Sequence, residues 1–116
     1  GLDYTPRLDE VEAHFIYDGV LPTAQFSCSD STLLRIWKNC SYSLASNLKS
    51  IPTDDPCRDE RGGYMGDRVQ VAKSEMYMYD VEDFYSKYML DAAETQLPSG
   101  EIGYTAPSFW EYYHKS

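Results

Sequence analysis

The 116-residue chain contains no long apolar run and few basic residues. None of its hydrophobic stretches approaches the roughly 20 residues that a membrane-spanning helix needs. Ten Lys and Arg residues are scattered among 19 Asp and Glu residues, which gives a net charge of −9. Because nucleic acids and anionic membrane surfaces are bound through clustered basic side chains, we expect neither of them as a partner.

Cysteine and targeting signals are also scarce. The three cysteines share no C-x-x-C spacing, so the sequence implies neither a zinc site nor a closed set of disulfide bonds. The first ten residues show neither the basic stretch nor the apolar core of a secretory signal. The sequence therefore leaves the cellular compartment open.

Aromatic residues, in contrast, are abundant: there are 11 Tyr, four Phe and two Trp. Hydrophobic residues make up 42% of the chain and charged residues 25%, which is typical of one globular domain. We expect most of the rings in the core. An acidic and aromatic surface also suits a neutral, polyhydroxylated ligand, because rings stack on sugar faces and carboxylates accept hydrogen bonds from hydroxyl groups.

The first half of the chain is predicted to contain one strand and one helix. Apolar residues alternate with polar ones over residues 11–17, which is typical of a strand. From Asp30 the period changes, and Ser29 or Asp30 is the expected N-cap of a helix of about five turns. Its apolar stripe is Leu33, Trp37, Cys40, Leu44 and Leu48.

Two further helices are predicted after a proline-containing loop over residues 50–66. Asp67 is expected to cap the second helix, whose apolar stripe is Val69, Ala72, Met76 and Tyr79. The third helix, over residues 81–96, is expected to bury Phe84, Tyr88 and Ala92 along one side. Pro98 and Gly100 follow it, as is typical of a helix C-terminus.

The loop crowds acidic side chains among arginines. The carboxylates are Asp54, Asp55, Asp59, Glu60 and Asp67, and the arginines between them are Arg58 and Arg61. Neighbouring carboxylates raise the pKa of one of their number, whereas arginines keep others ionised. One protonated acid among ionised acceptors is what the cleavage of a glycosidic bond requires.

Three other interpretations of this loop stay open on the residues alone. It is compatible with a solvated acidic loop, or with a structural cluster in which arginines pair with the carboxylates. Oxygen ligands also suit Ca²⁺, although the spacing of an EF-hand and its closing Glu are missing. No other cofactor is indicated, so Ca²⁺ is the one ion that the sequence leaves open.

Several segments in order resemble bacterial α-L-rhamnosidases, glycoside hydrolase family 78. They are FSCSDSTLLRIW at 26–37, SNLKSIPTDDPCRDERGGYMGD at 46–67, DVEDFYSKYMLD at 80–91, Gln96 with Gly100, and Ala106-Pro107. The resemblance implies an all-α fold, the first helical hairpins of an (α/α)6 toroid. It also implies a short β segment or linker over residues 1–25, from a preceding β-domain, and an incomplete catalytic domain over residues 26–116.

The resemblance implies a function and a site. Inverting exo-hydrolysis of terminal α-L-rhamnose from oligosaccharides or glycosides would use Glu60 as the general acid. Asp55 and Asp67 would hold the hydroxyls of the sugar, Arg58 would lie in the same pocket, and Tyr64 would stand where the family usually has a Trp that walls it.

The general base of this family lies far downstream, so the resemblance implies that it comes from outside this chain. The expected partners are therefore a rhamnosyl-containing carbohydrate and the remainder of the same polypeptide. A chain without the base is expected to be inactive alone. The alternative is a non-catalytic carbohydrate-binding or interaction fragment.

Overall fold

Three α-helices account for most of the regular structure, which confirms the all-α class. A computed structural model describes residues 3–108. In chain order it contains a 3₁₀ turn (Leu8–Glu10), α1 (Ser31–Ser46), β1 (Leu48–Lys49), β2 (Ile51–Pro52), α2 (Met65–Met78) and α3 (Glu82–Glu94). The two short strands are antiparallel, with Leu48 opposite Pro52. None of the helices in the described range has the length and apolar character required to cross a membrane.

The predicted strand over residues 11–17 is wrong. The segment forms no ladder with any described part of the chain, and all seven of its residues are exposed. Phe15 lies against Tyr17 and, edge to face, against Tyr42 of α1. Alternation predicts a strand only where a second strand can satisfy its backbone groups, and none is described here. The division into residues 1–25 and 26–116 remains a prediction.

Helix α1 begins as predicted but ends earlier. The Asp30 carboxylate accepts hydrogen bonds from the backbone N–H groups of Thr32 and Leu33, at 2.7 and 3.2 Å, so Asp30 is the N-cap. The helix ends at Ser46, and Leu48 is fully buried in β1 instead of extending the stripe. Leu33, near the start of that stripe, is half exposed.

Helix α2 differs more from its prediction. It begins at Met65 with Tyr64 as its N-cap residue, so Asp67 lies in the first turn and is not the cap. The reason is tertiary, since the backbone of Tyr64 bridges to Thr105 and the Met65 N–H donates to the Tyr104 carbonyl at 3.0 Å. An acidic residue in the first turn is still favourable beside the positive end of the helix dipole.

The core lies between α3 and the segments that pack on it. Phe84, Tyr88 and Ala92 are all buried, as the third stripe predicts. Phe84 belongs to one cluster with Val20, Ala45, Leu48, Tyr79 and Val81. Tyr88 and Ala92 form a second cluster with Ala106, which lies beside the acidic loop. Helix α3 thus supports the region where the predicted site residues lie.

Candidate functional site

The acidic loop is tied down at both ends by backbone hydrogen bonds. At its start, the Thr53 N–H donates to the Asn47 carbonyl at 2.8 Å, and the Asp54 N–H donates to the Gly62 carbonyl at 3.0 Å. At its end, the Gly63 carbonyl accepts hydrogen bonds from the Ala106 N–H at 3.0 Å and from the Tyr88 hydroxyl at 2.8 Å. The seven residues between Asp54 and Gly62 are therefore held as a closed loop.

This loop and the first turn of α2 enclose an open polar cleft of about 320 Å³. The cleft is lined by Asp54, Asp55, Arg58, Glu60, Tyr64 and Asp67. All five residues that the resemblance implies for the site thus line one cleft, with Asp54 in addition. Their proximity follows from one continuous segment, and their roles remain predictions.

Arg58 joins two of the carboxylates in the cleft. Its guanidinium lies 3.2 Å from Asp55 Oδ2 and 3.6 Å from Glu60 Oε1. The side chain of Glu60 is 46% exposed, so its carboxyl group faces the open cleft while it still contacts the arginine. An acid in this position can reach a ligand that enters from solvent.

Asp55 is engaged by its own turn. Its Oδ1 accepts hydrogen bonds from the Cys57 N–H at 2.8 Å and from the Cys57 thiol at 2.9 Å. The bonds from the Cys57 thiol and N–H, followed by Arg58, lower the pKa of Asp55, and the same contact raises the pKa of the Cys57 thiol. Asp55 thus shapes the loop through its Oδ1, while its Oδ2 contacts Arg58.

Asp54 lines the cleft as well, although sequence analysis named it only among the carboxylates of the loop and gave it no role. Its Oδ1 is buried and has no hydrogen-bond partner in the described part of the chain. It lines the polar cleft and also an adjoining cavity of about 270 Å³, which it shares with Asp67. Sequence signals do not separate Asp54 from Asp55, because only the geometry of the turn shows which carboxylate is already satisfied.

Tyr64 forms one wall of the cleft, and Gly62 lets it do so. A Cβ atom at position 62 would lie 2.9 Å from Cε2 of the Tyr64 ring. Real Cβ atoms do not approach that closely, so the ring packs over the glycine backbone. Gly62 therefore leaves room for the ring of Tyr64, which is smaller than the Trp that the family usually has at this position.

A buried polar network lies beneath the loop. The Arg68 guanidinium pairs with the carboxylate of Glu75 and donates to the Thr53 carbonyl at 2.7 Å. The Tyr85 hydroxyl of α3 donates to the other carboxylate oxygen of Glu75. Burial, followed by this hydrogen bond to Glu75, raises the pKa of Tyr85. Arg68 and Glu75 are 5% and 0% exposed, so α2 buries charges where an apolar stripe was predicted.

The prediction of that stripe is wrong for Val69 and Met76, which are 79% and 58% exposed.

The sequence also left open whether the acidic loop binds a metal ion. Among residues 3–108, no group of three or more His, Cys, Asp or Glu side chains is arranged to hold a metal ion. Two acidic residues of the cleft, Asp55 and Glu60, instead pair with Arg58.

Comparison with known proteins identifies related domains. Residues 22–116 match the family described as the bacterial alpha-L-rhamnosidase 6 hairpin glycosidase domain. The chain is 31% identical over 99 residues to an alpha-L-rhamnosidase of Formosa agariphila, and 34% identical over 82 residues to one of Alteromonas sp.. These alignments cover 85% and 71% of this chain but only 10% and 9% of the two relatives.

Solved structures give the same result. The alpha-L-rhamnosidase from Dictyoglumus thermophilum superposes with a TM-score of 0.86 at 34% identity, over 95% of this chain and 12% of that one. The Streptomyces avermitilis alpha-L-rhamnosidase, complexed with L-rhamnose, gives a TM-score of 0.78 at 28% identity, over 81% of this chain and 9% of that one. The chain thus spans about a tenth of the length of the proteins it resembles.

Proposed function

The chain belongs to the bacterial α-L-rhamnosidase six-hairpin glycosidase family, and on that premise we propose that it supplies part of an active site that hydrolyses terminal α-L-rhamnosyl residues. The substrates are oligosaccharides or glycosides. The observation that carries the proposal is the polar cleft, where Glu60 faces solvent among Asp54, Asp55 and Asp67.

Glu60 is the proposed general acid. It must deliver a proton to the glycosidic oxygen as the bond to the anomeric carbon breaks. Its side chain is half exposed and is held from one side by Arg58 at 3.6 Å. This contact orients the carboxyl group while it leaves the other side of that group open to the substrate.

The remaining groups of the cleft suit the ring of the sugar. Carboxylates accept hydrogen bonds from vicinal hydroxyls, and an aromatic ring packs against the apolar face of a sugar. Asp67 in the first turn of α2 and Tyr64 at its N-cap have these roles in the proposal, with Arg58 in the same pocket. Asp55 also holds the sugar in the proposal while its Oδ1 maintains the turn, and the Oδ1 of its neighbour Asp54 is buried without a hydrogen-bond partner in the described part of the chain.

The mechanism proposed is a single displacement with inversion. It needs a second carboxylate that activates water from the opposite face, roughly 6.5–9.5 Å from the acid. We assign this general base to a Glu in the remainder of the polypeptide, which is therefore a required partner. The chain by itself would then bind the sugar weakly and not turn it over.

The test uses the full-length protein and p-nitrophenyl α-L-rhamnoside. We expect release of p-nitrophenol, with β-L-rhamnose as the first anomer in a time-resolved ¹H NMR spectrum. The α-anomer as first product would refute inversion. Binding of L-rhamnose without turnover would favour the carbohydrate-binding alternative over the enzyme.

A further inference from the structure

Arg68 and Glu75 form a buried ion pair at the base of the acidic loop. Both side chains are buried within the described chain alone, and their carboxylate and guanidinium groups are in direct contact. A buried ion pair loses its hydration, and well-packed apolar residues in its place are often as stable or more so. The pair is therefore weak evidence for a gain in stability over an apolar core.

The contacts of the pair instead connect it to the acidic loop. One nitrogen of Arg68 donates to the carbonyl of Thr53, the residue that directly precedes Asp54. The arginine is itself fixed by Glu75, seven residues further along α2, and Glu75 is fixed by the hydroxyl of Tyr85 on α3. The start of the loop is thus connected to two helices through one buried guanidinium group.

The end of the loop is attached to the same helix. Tyr88 lies one turn after Tyr85 on α3, and its hydroxyl donates to the Gly63 carbonyl at 2.8 Å. The two tyrosines therefore fix opposite ends of the loop, one directly and one through Glu75 and Arg68. A rigid supporting layer of this kind holds reacting groups within a fraction of an ångström of their productive positions.

We propose that Arg68, held by Glu75 and Tyr85, is a positioning residue that fixes the Thr53 carbonyl and so determines where the acidic loop presents its carboxylates. Arg68 does not line the polar cleft. It acts through the backbone of the acidic loop. The catalytic part of this inference rests on the proposed function. The structural part does not, and it is tested separately.

The first experiment measures amide hydrogen exchange in the full-length protein. Tyr85→Phe removes one hydroxyl from the network, and Arg68→Lys keeps the charge but loses the planar fork that bonds two acceptors. Tyr77→Phe, which removes an exposed hydroxyl from α2, is the matched control. We expect exchange over residues 53–55 to accelerate about tenfold in the first two variants, with exchange in α3 unchanged.

Loop exchange that is the same in Tyr85→Phe, Arg68→Lys and the control would overturn the proposal, whether or not the protein cleaves rhamnosides. Tyr85→Phe keeps the ion pair and nearly the full side-chain volume. It therefore remains informative even where Arg68→Lys does not fold.

The second experiment compares two α-L-rhamnosides, one with p-nitrophenol and one with an alcohol as leaving group. A poor leaving group depends more on the general acid than a good one. A misplaced acid therefore raises the ratio of kcat/KM for the p-nitrophenyl rhamnoside to kcat/KM for the alkyl rhamnoside. This ratio does not depend on the concentration of folded enzyme, so a merely structural role would leave it unchanged. We expect an increase of about fivefold or more in Tyr85→Phe and none in Tyr77→Phe.

An unchanged ratio in Tyr85→Phe would overturn the positioning role. Absence of cleavage of both substrates by the unmodified protein would instead refute the proposed function. The exchange measurement then decides the structural part on its own, so the two failures are distinguishable.

Discussion

A single added methyl group at Gly63 should disrupt the acidic loop. A Cβ atom there would lie 2.1 Å from the carbonyl oxygen of Ala106 and 3.2 Å from its carbonyl carbon. Both atoms belong to the backbone, so no side-chain rotation can relieve the clash. In Gly63→Ala the segment around Ala106 must move away from the loop.

The cost follows from the contacts that this movement breaks. The Gly63 carbonyl accepts from the Ala106 N–H and from the Tyr88 hydroxyl, and the strand-like bridge between Tyr64 and Thr105 depends on the same approach. Each buried polar group left without its partner costs about 1–3 kcal/mol. With two such bonds disturbed, we expect Gly63→Ala to destabilise the local structure by about 3–5 kcal/mol.

The assay is amide hydrogen exchange at Ala106 in the full-length protein, since it reports local opening. At about 1.4 kcal/mol per tenfold change, the protection of this amide should fall by at least about 100-fold. Gly66→Ala is the control, because a Cβ there meets nothing within 4 Å and the residue lies in the first turn of α2. That variant should be neutral or stabilising by about 0.5 kcal/mol.

Protection at Ala106 within about threefold of the unmodified protein would refute this reasoning. It would show that the loop and residues 104–106 do not approach as closely as the structure has them. The anchoring of the loop at Gly63 would then need another explanation.

Three further predictions concern single side chains in the full-length protein. Glu60→Gln should lower kcat for an alkyl α-L-rhamnoside about 10²–10⁴-fold, since the amide cannot supply the proton that an alcohol leaving group needs, whereas its neighbour Asp59→Asn should leave that kcat nearly unchanged; equal losses would contradict the assignment. Asp55→Asn should speed alkylation of Cys57 by iodoacetamide between pH 7 and 9, because the carboxylate raises the pKa of the thiol and so lowers its thiolate fraction; equal rates by mass spectrometry would exclude that contact. Asp30→Ala should destabilise the first turn of α1 by about 1 kcal/mol and Asp30→Asn much less, and identical amide exchange in the two variants would argue against the cap.

The parts of the fold that sequence predicted are those set by local chemistry. Asp30 caps α1 because its carboxylate reaches backbone N–H groups two and three residues later. The stripe of α3 is buried because Phe84 and Tyr88 lie on one face of one helix. The residues that the resemblance implies for the site line one cleft because they belong to one continuous segment, and their roles stay predictions.

The predictions of secondary structure were wrong where contacts between residues far apart in the chain determine the structure. Residues 11–17 alternate, but a strand requires a partner that the pattern does not contain. Asp67 has the chemistry of a cap, yet the start of α2 is set by the pairing of Tyr64 with Thr105, about 40 residues away in the chain. Asp54 and Asp55 are adjacent and identical in type, and only the hydrogen bonds of the Cys57 turn distinguish them.

Helix α2 shows most clearly why pattern alone was insufficient. Arg68 and Glu75 are seven residues apart, as are Val69 and Met76, so each pair occupies one face of the helix. Hydrophobicity assigns the apolar pair to the interior, but the structure buries the charged pair, where Arg68 donates to the Thr53 carbonyl and Glu75 accepts from the Tyr85 hydroxyl. The inner side of α2 thus contacts the start of the acidic loop through Arg68 and the Thr53 carbonyl.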